Sequence, residues 1–416
     1  MEIKQKIEKA NEEAVQRLTS GEPVLVDIAP AGEVLPGMKD KMITHAGPPI
    51  EWENMSGAQK GAIIGTVLYE GWAETAAEAK ALLKKGDIRL EPNHHHQTVG
   101  PMAGTISPSA PVWVVENQAF GNRAFCRQVE GNQQFGDYSD PALQGLRMWR
   151  DVWAPTMRKA LHTIGGLDLK PIITKALQMG DELHNRNTAS SSLFANAMAV
   201  AMAQTDLPNK NEMIGTLKYA TNHELIFLGL AMAAGKAIAD PARDIEYSTV
   251  VTAMCRNGVE FGIRVSGLSD EWFTAPAPVL DGLYLPGYSA KDAGLDIGDS
   301  AITETVGWGA FVLGGAPGIL GLVGGTPEEA LAYSHEMRKI TVATHPVYRM
   351  PALGFVGIPI GIDIRLVVQT NITPIIDSAI AHREPGYPKI GAGLLRAPLD
   401  CFKKALIAFG KKYGSK

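Results

Sequence analysis

No run of five or more lysines and arginines occurs anywhere in this 416-residue chain. A surface that tracks a phosphate backbone normally shows such a run as a basic stripe, so no nucleic-acid partner is expected. The balance of 39 basic against 44 acidic residues, a formal net charge of -5, argues the same way. Cysteine is scarce: Cys126, Cys255 and Cys401 are widely spaced and odd in number, which excludes a disulfide framework and fits a reducing, cytoplasmic location. The N-terminal stretch from Met1 to Lys9 is charged from its start and lacks the apolar run of a secretory signal. The most apolar segment, Gly307 to Gly325, is broken by Pro317, carries eight glycines and is flanked by Glu304, Glu328 and Glu329. It reads as buried loops and strands with close backbone approach, and no membrane partner is expected.

The common cofactor and hydrolase fingerprints are missing as well. No G-x-G-x-x-G follows a strand, and Gly229 to Lys236 is only superficially a phosphate loop, with Ala237 where a magnesium-holding Ser or Thr belongs. Neither a G-x-S-x-G elbow nor an H-E-x-x-H helix occurs. No cofactor is therefore expected.

What remains is an ordinary folded composition, 45% hydrophobic and 20% charged, in a chain long enough for two or three domains. The patterning predicts an α+β fold: a mixed α/β part over 1–140, a mainly helical part over 141–240 and an α+β part over 241–416. Apolar residues at helical spacing predict helices over 2–20, 57–73, 74–85, 143–161, 169–183, 189–203, 214–239 and 402–412. Strands are predicted over 23–29, 88–90, 112–115, 247–254, 261–265, 353–356 and 364–369.

Four polar clusters could carry chemistry. The turn from His45 to Trp52 leads to Ser56 and a helix start with Lys60, a combination suited to an anion. In Asn93 to Gln97, an extended backbone would put His94 and His96 on one face with His95 opposite, but no cysteine pair supplies the third and fourth ligands of a metal site, and no tightly held transition metal is expected. Six of the seven residues from Asp181 to Asn187 are polar between apolar helices. On a helix, Asp181 and His184 share a face, so the carboxylate either orients the imidazole or shares a ligand with it. Burying Glu182, Asn185, Arg186 and Asn187 beside them is costly unless they satisfy one another or a ligand. The fourth cluster holds Glu304, then Asp363 and Arg365 on one strand face, then His382 in a loop.

These segments also carry a family resemblance. HAGPPIEW (45–52), YEGWA (69–73), HQTVGPMAG (96–104), MGDELHNRN (179–187), DSAITETVGWG (299–309), PIGIDIRLVVQT (359–370) and DSAIAHREPGYPKIGAG (377–393) resemble the YlbE/AllG family, named for a subunit of oxamate carbamoyltransferase. The chain departs from the family pattern at Gly57-Ala58-Gln59-Lys60 and over Val129 to Gln134. The resemblance implies a three-part α+β architecture with a helical middle. It also implies a role, with partner subunits, in moving a carbamoyl group between carbamoyl phosphate and oxamate in allantoin breakdown. It assigns no individual residue. The aspartate and ornithine carbamoyltransferase motifs S-T-R-T-R and H-P-x-Q are missing.

The expected function is thus a carbamoyltransferase subunit that binds a small anionic substrate inside an oligomer with other subunits. His184, Asp181, Glu182 and His45 are the candidate catalytic residues. Lys60, His95, Asn185, Arg186, Asn187, Glu304, Asp363, Arg365 and His382 are the candidate anion-binding residues, and no metal ligand is assigned. Two alternatives stay open: a metal-dependent hydrolase of a small amide built on His94, His96, Asp181 and His184, and a non-catalytic assembly subunit.

Overall fold

The computed structural model describes residues 2–414, a mixed α+β protein whose strands gather in several small sheets. The largest runs in the order Thr98–Val99, Asn122–Arg127, Pro111–Asn117, Pro23–Pro30, Leu167–Asp168, antiparallel except for its first pair. Across its central strands lies the helix Ile226–Ala239, every residue of which is buried. That burial explains the string that mimics a phosphate loop. Gly229 lies against the Trp113 ring, where an added Cβ would come within 2.8 Å, and Lys236 reaches Asp240 at 2.5 Å. No single described helix is long and apolar enough to cross a membrane.

A second sheet, ordered Phe273–Pro276, Glu260–Val265, Val251–Asn257, Ile297–Gly298, is antiparallel throughout. The helix Leu399–Tyr413 covers one end of it with Cys401, Phe402, Ala405 and Phe409. A third sheet runs Asp281–Tyr284, Lys389–Arg396, Ile375–Ala381. The strand Ile375–Ala381 is buried at every position, so its polar side chains Asp377 and Ser378 are held in the interior.

The helical middle departs from its expected bounds in ways that matter for the site. Residues 140–164 form one rod, in which a π-helical stretch at Trp149–Trp153 takes up the strain of Pro155. The span 214–239 is two helices, Lys210–Asn222 and Ile226–Ala239, with a sharp bend between them. The helix expected to run to Leu183 stops at Gln178, and 181–187 is a loop with Leu183 at φ +70. Gly180, at φ +90, provides the exit a helix cannot continue through.

Other expectations are also corrected. Residues 364–369 lie in a helix, Ile364–Thr370, because Asp363 caps it by accepting the Arg365 amide at 2.8 Å. Residues 353–356 turn rather than extend. Asn93–His96 is a tight 3-10 turn, so His94 and His96 are not paired on one extended face. The stretch 307–325 contains 3-10 turns and a short helix instead of strands, and its buried residues pack within this chain, mainly against the helix Pro327–Met337.

Candidate functional site

The loop 181–187 meets the short helix Ile302–Thr305 and the strand Ile375–Ala381 at one buried point. There His184 Nδ1 lies 2.8 Å from Glu304 Oε1 and 3.2 Å from Asp377 Oδ1. Burial alone would push the imidazole down, but the two carboxylates outweigh it and hold His184 well above the usual histidine range. The two carboxylates therefore favour the protonated ring. Burial and the neighbouring charge raise Glu304, whereas Asp377 stays low because His184, Glu304 and Asn185 overcome its desolvation.

The backbone is shaped to this arrangement. Glu304 Oε1 also accepts the Ala310 amide at 3.0 Å, and its other oxygen accepts the Thr303 hydroxyl at 2.9 Å. Gly309 passes so close, at φ +59, that a Cβ there would lie 2.1 Å from Glu304 Oε1. Glu182 braces the loop from within: one carboxylate oxygen accepts the His184 amide at 2.7 Å, the other the Arg186 amide, and its carbonyl accepts the Gly309 amide at 2.7 Å. A buried leucine at positive φ costs about 1–3 kcal/mol. The Glu182 carboxylate, bonded to the His184 and Arg186 amides, holds Leu183 in that conformation.

His184 and Asn185 open onto a cavity of about 340 Å3. Its polar lining includes Asn132, Gln134, His223, Ser300 and Lys389, and its apolar wall includes Met102, Phe135 and Leu228. A few donors converging in an apolar hollow of this size suit a small molecule. Burial lowers the Lys389 ammonium from its usual value. Asn185 is fixed by donating to Asp377 Oδ2 at 3.0 Å.

The other candidates lie elsewhere or play a different part. Asp181 does not touch His184; it caps the helix Thr188–Ala203 by accepting the Ala189 amide at 3.1 Å and the Ser190 amide and hydroxyl at 2.7 and 2.9 Å. Arg186 donates to the Gly180 carbonyl at 3.1 Å, and Asn187 donates to the His184 carbonyl at 2.7 Å, so both hold the loop. His45, pushed down to about 4 by burial, contacts the Ala46 carbonyl and Gln59. With His95 it borders a separate surface groove. His95 accepts the Trp272 indole N–H at 3.1 Å. Lys60 donates to the Glu53 carbonyl at 2.8 Å and sits over the Trp52 ring. Arg365 pairs with Asp363 at 2.6 Å. His382 is buried rather than loop-exposed, stacked on Tyr387 at 3.8 Å between centroids.

The four ligands of the metal-hydrolase alternative do not converge. His96 contacts the Pro36 carbonyl, Asp181 caps its helix and His184 is held by Glu304 and Asp377. Sequence reasoning did not place Asp377, Lys389, Ser300 or the 129–135 wall among the site residues. The signal was present, because Asp377 and Lys389 open and nearly close the segment DSAIAHREPGYPKIGAG, and Ser300 belongs to DSAITETVGWG.

Comparison with known proteins places this geometry in context. Residues 88–300 match the family described as oxamate carbamoyltransferase subunit AllG. The Escherichia coli (strain K12) protein of that description is 42% identical over 414 residues, spanning 98% of this chain and 99% of that protein. An uncharacterized protein of the same organism, YahG, is 43% identical over 412 residues, spanning 98% of this chain and 87% of its own length. A conserved protein of unknown function from Enterococcus faecalis V583, solved by crystallography, superimposes with a TM-score of 0.96 at 43% identity over 99% of both chains.

Proposed function

The chain belongs to the AllG family, and from that premise we propose that it is a subunit of a carbamoyltransferase acting on carbamoyl phosphate and oxamate, or a closely related amide, in allantoin catabolism. The observation that carries this reading is the buried His184, clamped by Glu304 and Asp377, facing a small cavity shared with Asn185 and Lys389. Both substrates are small anions, and these donors match that chemistry.

In the transfer, the acceptor nitrogen attacks the carbamoyl carbon. A C–N bond forms, the C–O bond to phosphate breaks, and the electron pair leaves on phosphate. The proton lost from nitrogen passes to the departing phosphate or to water. An imidazolium is a poor base, so His184 acts here as a donor, stabilising charge as it grows on the reacting oxygens. Lys389 and Asn185 orient the anion, and Glu182 keeps the loop in place. The 129–135 wall adjoins the same cavity and is where acceptor preference would be set.

The deciding assay measures oxalurate and phosphate from carbamoyl phosphate and oxamate, with the chain alone and with its co-encoded partners, for the wild type and His184→Gln. Turnover in the reconstituted wild type, reduced by about two orders of magnitude in His184→Gln, supports the reading. Turnover that is indifferent to His184 overturns it.

A further inference from the structure

Behind the cavity wall formed by Pro101, Met102 and Ser300 lies a second buried cluster of different composition. Its donors are His94, Cys255 and Asp299, whose ligand atoms lie within 4.8 Å of one another. Strand pairing explains part of the convergence. Ile297 pairs with Asn257 and Gly298 with Arg256, so the next step of the ladder sets Asp299 beside Cys255. His94 arrives from the turn Asn93–His96, whose first residue donates to Asp299 Oδ2 at 2.8 Å.

His94 is the unexplained member. It is 2% exposed, and neither ring nitrogen has a hydrogen-bond partner among the described residues. Each such orphan costs about 1–3 kcal/mol. Its Nε2 is 3.8 Å from Asp299 Oδ1, too far for a hydrogen bond. Two ligands on one tetrahedral zinc are about 3.3–3.6 Å apart, so a small inward shift would bring these donors onto a common ion.

The carboxylate is already oriented for such a task. Asp299 accepts the Gly47 amide at 2.8 Å and the Gly100 amide at 2.9 Å in addition to Asn93, an outer shell of the kind that fixes a metal-binding carboxylate. The neighbouring cations have carboxylates of their own: Lys236 pairs with Asp240, and Arg243 and Arg264 with Asp270. A thiolate and a carboxylate on a divalent ion would leave the pocket neutral.

We propose that His94, Cys255 and Asp299 form a site for a zinc-class divalent cation that anchors the turn 93–96 to the strand ladder behind the cavity. Imidazole and thiolate together favour such an ion over magnesium or calcium. The site is independent of the His184 cluster and of the carbamoyl-transfer reading.

The test uses the full chain and two probes, Zn2+ and Co2+. After incubation with Zn2+ and removal of excess ion, elemental analysis should find about one equivalent, with a raised thermal midpoint. Cobalt should give a near-ultraviolet thiolate-to-metal absorption, absent in C255S and H94Q and retained in D377N. Because the His184 cluster contains no thiolate, cobalt bound there would lack this band. Circular dichroism of C255S checks its fold, and the wild-type cobalt spectrum stands even if that variant fails to fold. Loss of zinc on removal of excess ion, a wild-type spectrum without the thiolate band, or a band that survives in C255S each overturns the proposal.

Discussion

At His184 two carboxylates oppose the effect of burial, and linkage ties that opposition to pH. A histidine raised in the folded state contributes stability that is complete below the unfolded value of about 6.5 and drains away as pH rises through the folded one. Urea midpoints taken from pH 6 upward should therefore fall for the wild type relative to His184→Gln. The variant also leaves Glu304 and Asp377 facing each other without their cation, which should cost on the order of 3–5 kcal/mol near neutral pH. That cost should shrink as pH rises and the wild-type ring loses its proton; a pH-independent difference would contradict a protonated His184. Gly309→Ala tests the same point from the backbone, since its Cβ would strike Glu304. It should reduce turnover by at least about tenfold while the apparent affinity for carbamoyl phosphate changes less, because it displaces the group that orients His184.

Among the elements, the helix Thr188–Ala203 begins without a cap from its own Asn187 and depends on Asp181 across the loop. Asp181→Ala should lower stability by about 2 kcal/mol in chemical denaturation, the sum expected for a lost cap and exposed helix amides. Asp181→Asn, which keeps an acceptor, should recover much of it. Arg186→Ala removes a loop brace rather than a substrate contact, so its effect on turnover should be well below that of His184→Gln, measured in the same assay. The 129–135 segment is a wall of the cavity. Asn132→Ala and Gln134→Ala should change KM for the acceptor more than kcat, and steady-state kinetics across oxamate and related amides would show it.

For the molecule as a whole, the Gly-rich stretch 307–325 is largely absorbed by this chain's own packing, so its apolar character gives no separate reason for a subunit interface. The need for partners rests on the proposed function instead. The isolated chain is expected to turn over weakly or not at all, and to gain activity when co-encoded partners are added. Partner contacts that order the loop 181–187 would raise turnover more than substrate affinity. Full activity from the purified chain alone would remove the subunit reading.

Local pattern was enough for much of this protein. The α+β class, most helices, the helix cap at Ser56 and the polar segment 181–187 follow from periodicity and composition, which act over a few residues. The density of polar residues in otherwise apolar surroundings also singled out His184, Asn185 and Glu304. Tertiary structure decided which of those polar residues meet. Asp181 and His184 are three apart, yet Gly180 and Leu183 turn the chain out of the helix and send them to different partners. Asp377 reaches His184 from nearly two hundred residues away, and Cys255 reaches His94 across a strand ladder. Such contacts are legible only once the strands have paired, because burial and register, rather than spacing along the chain, determine which charges must satisfy one another.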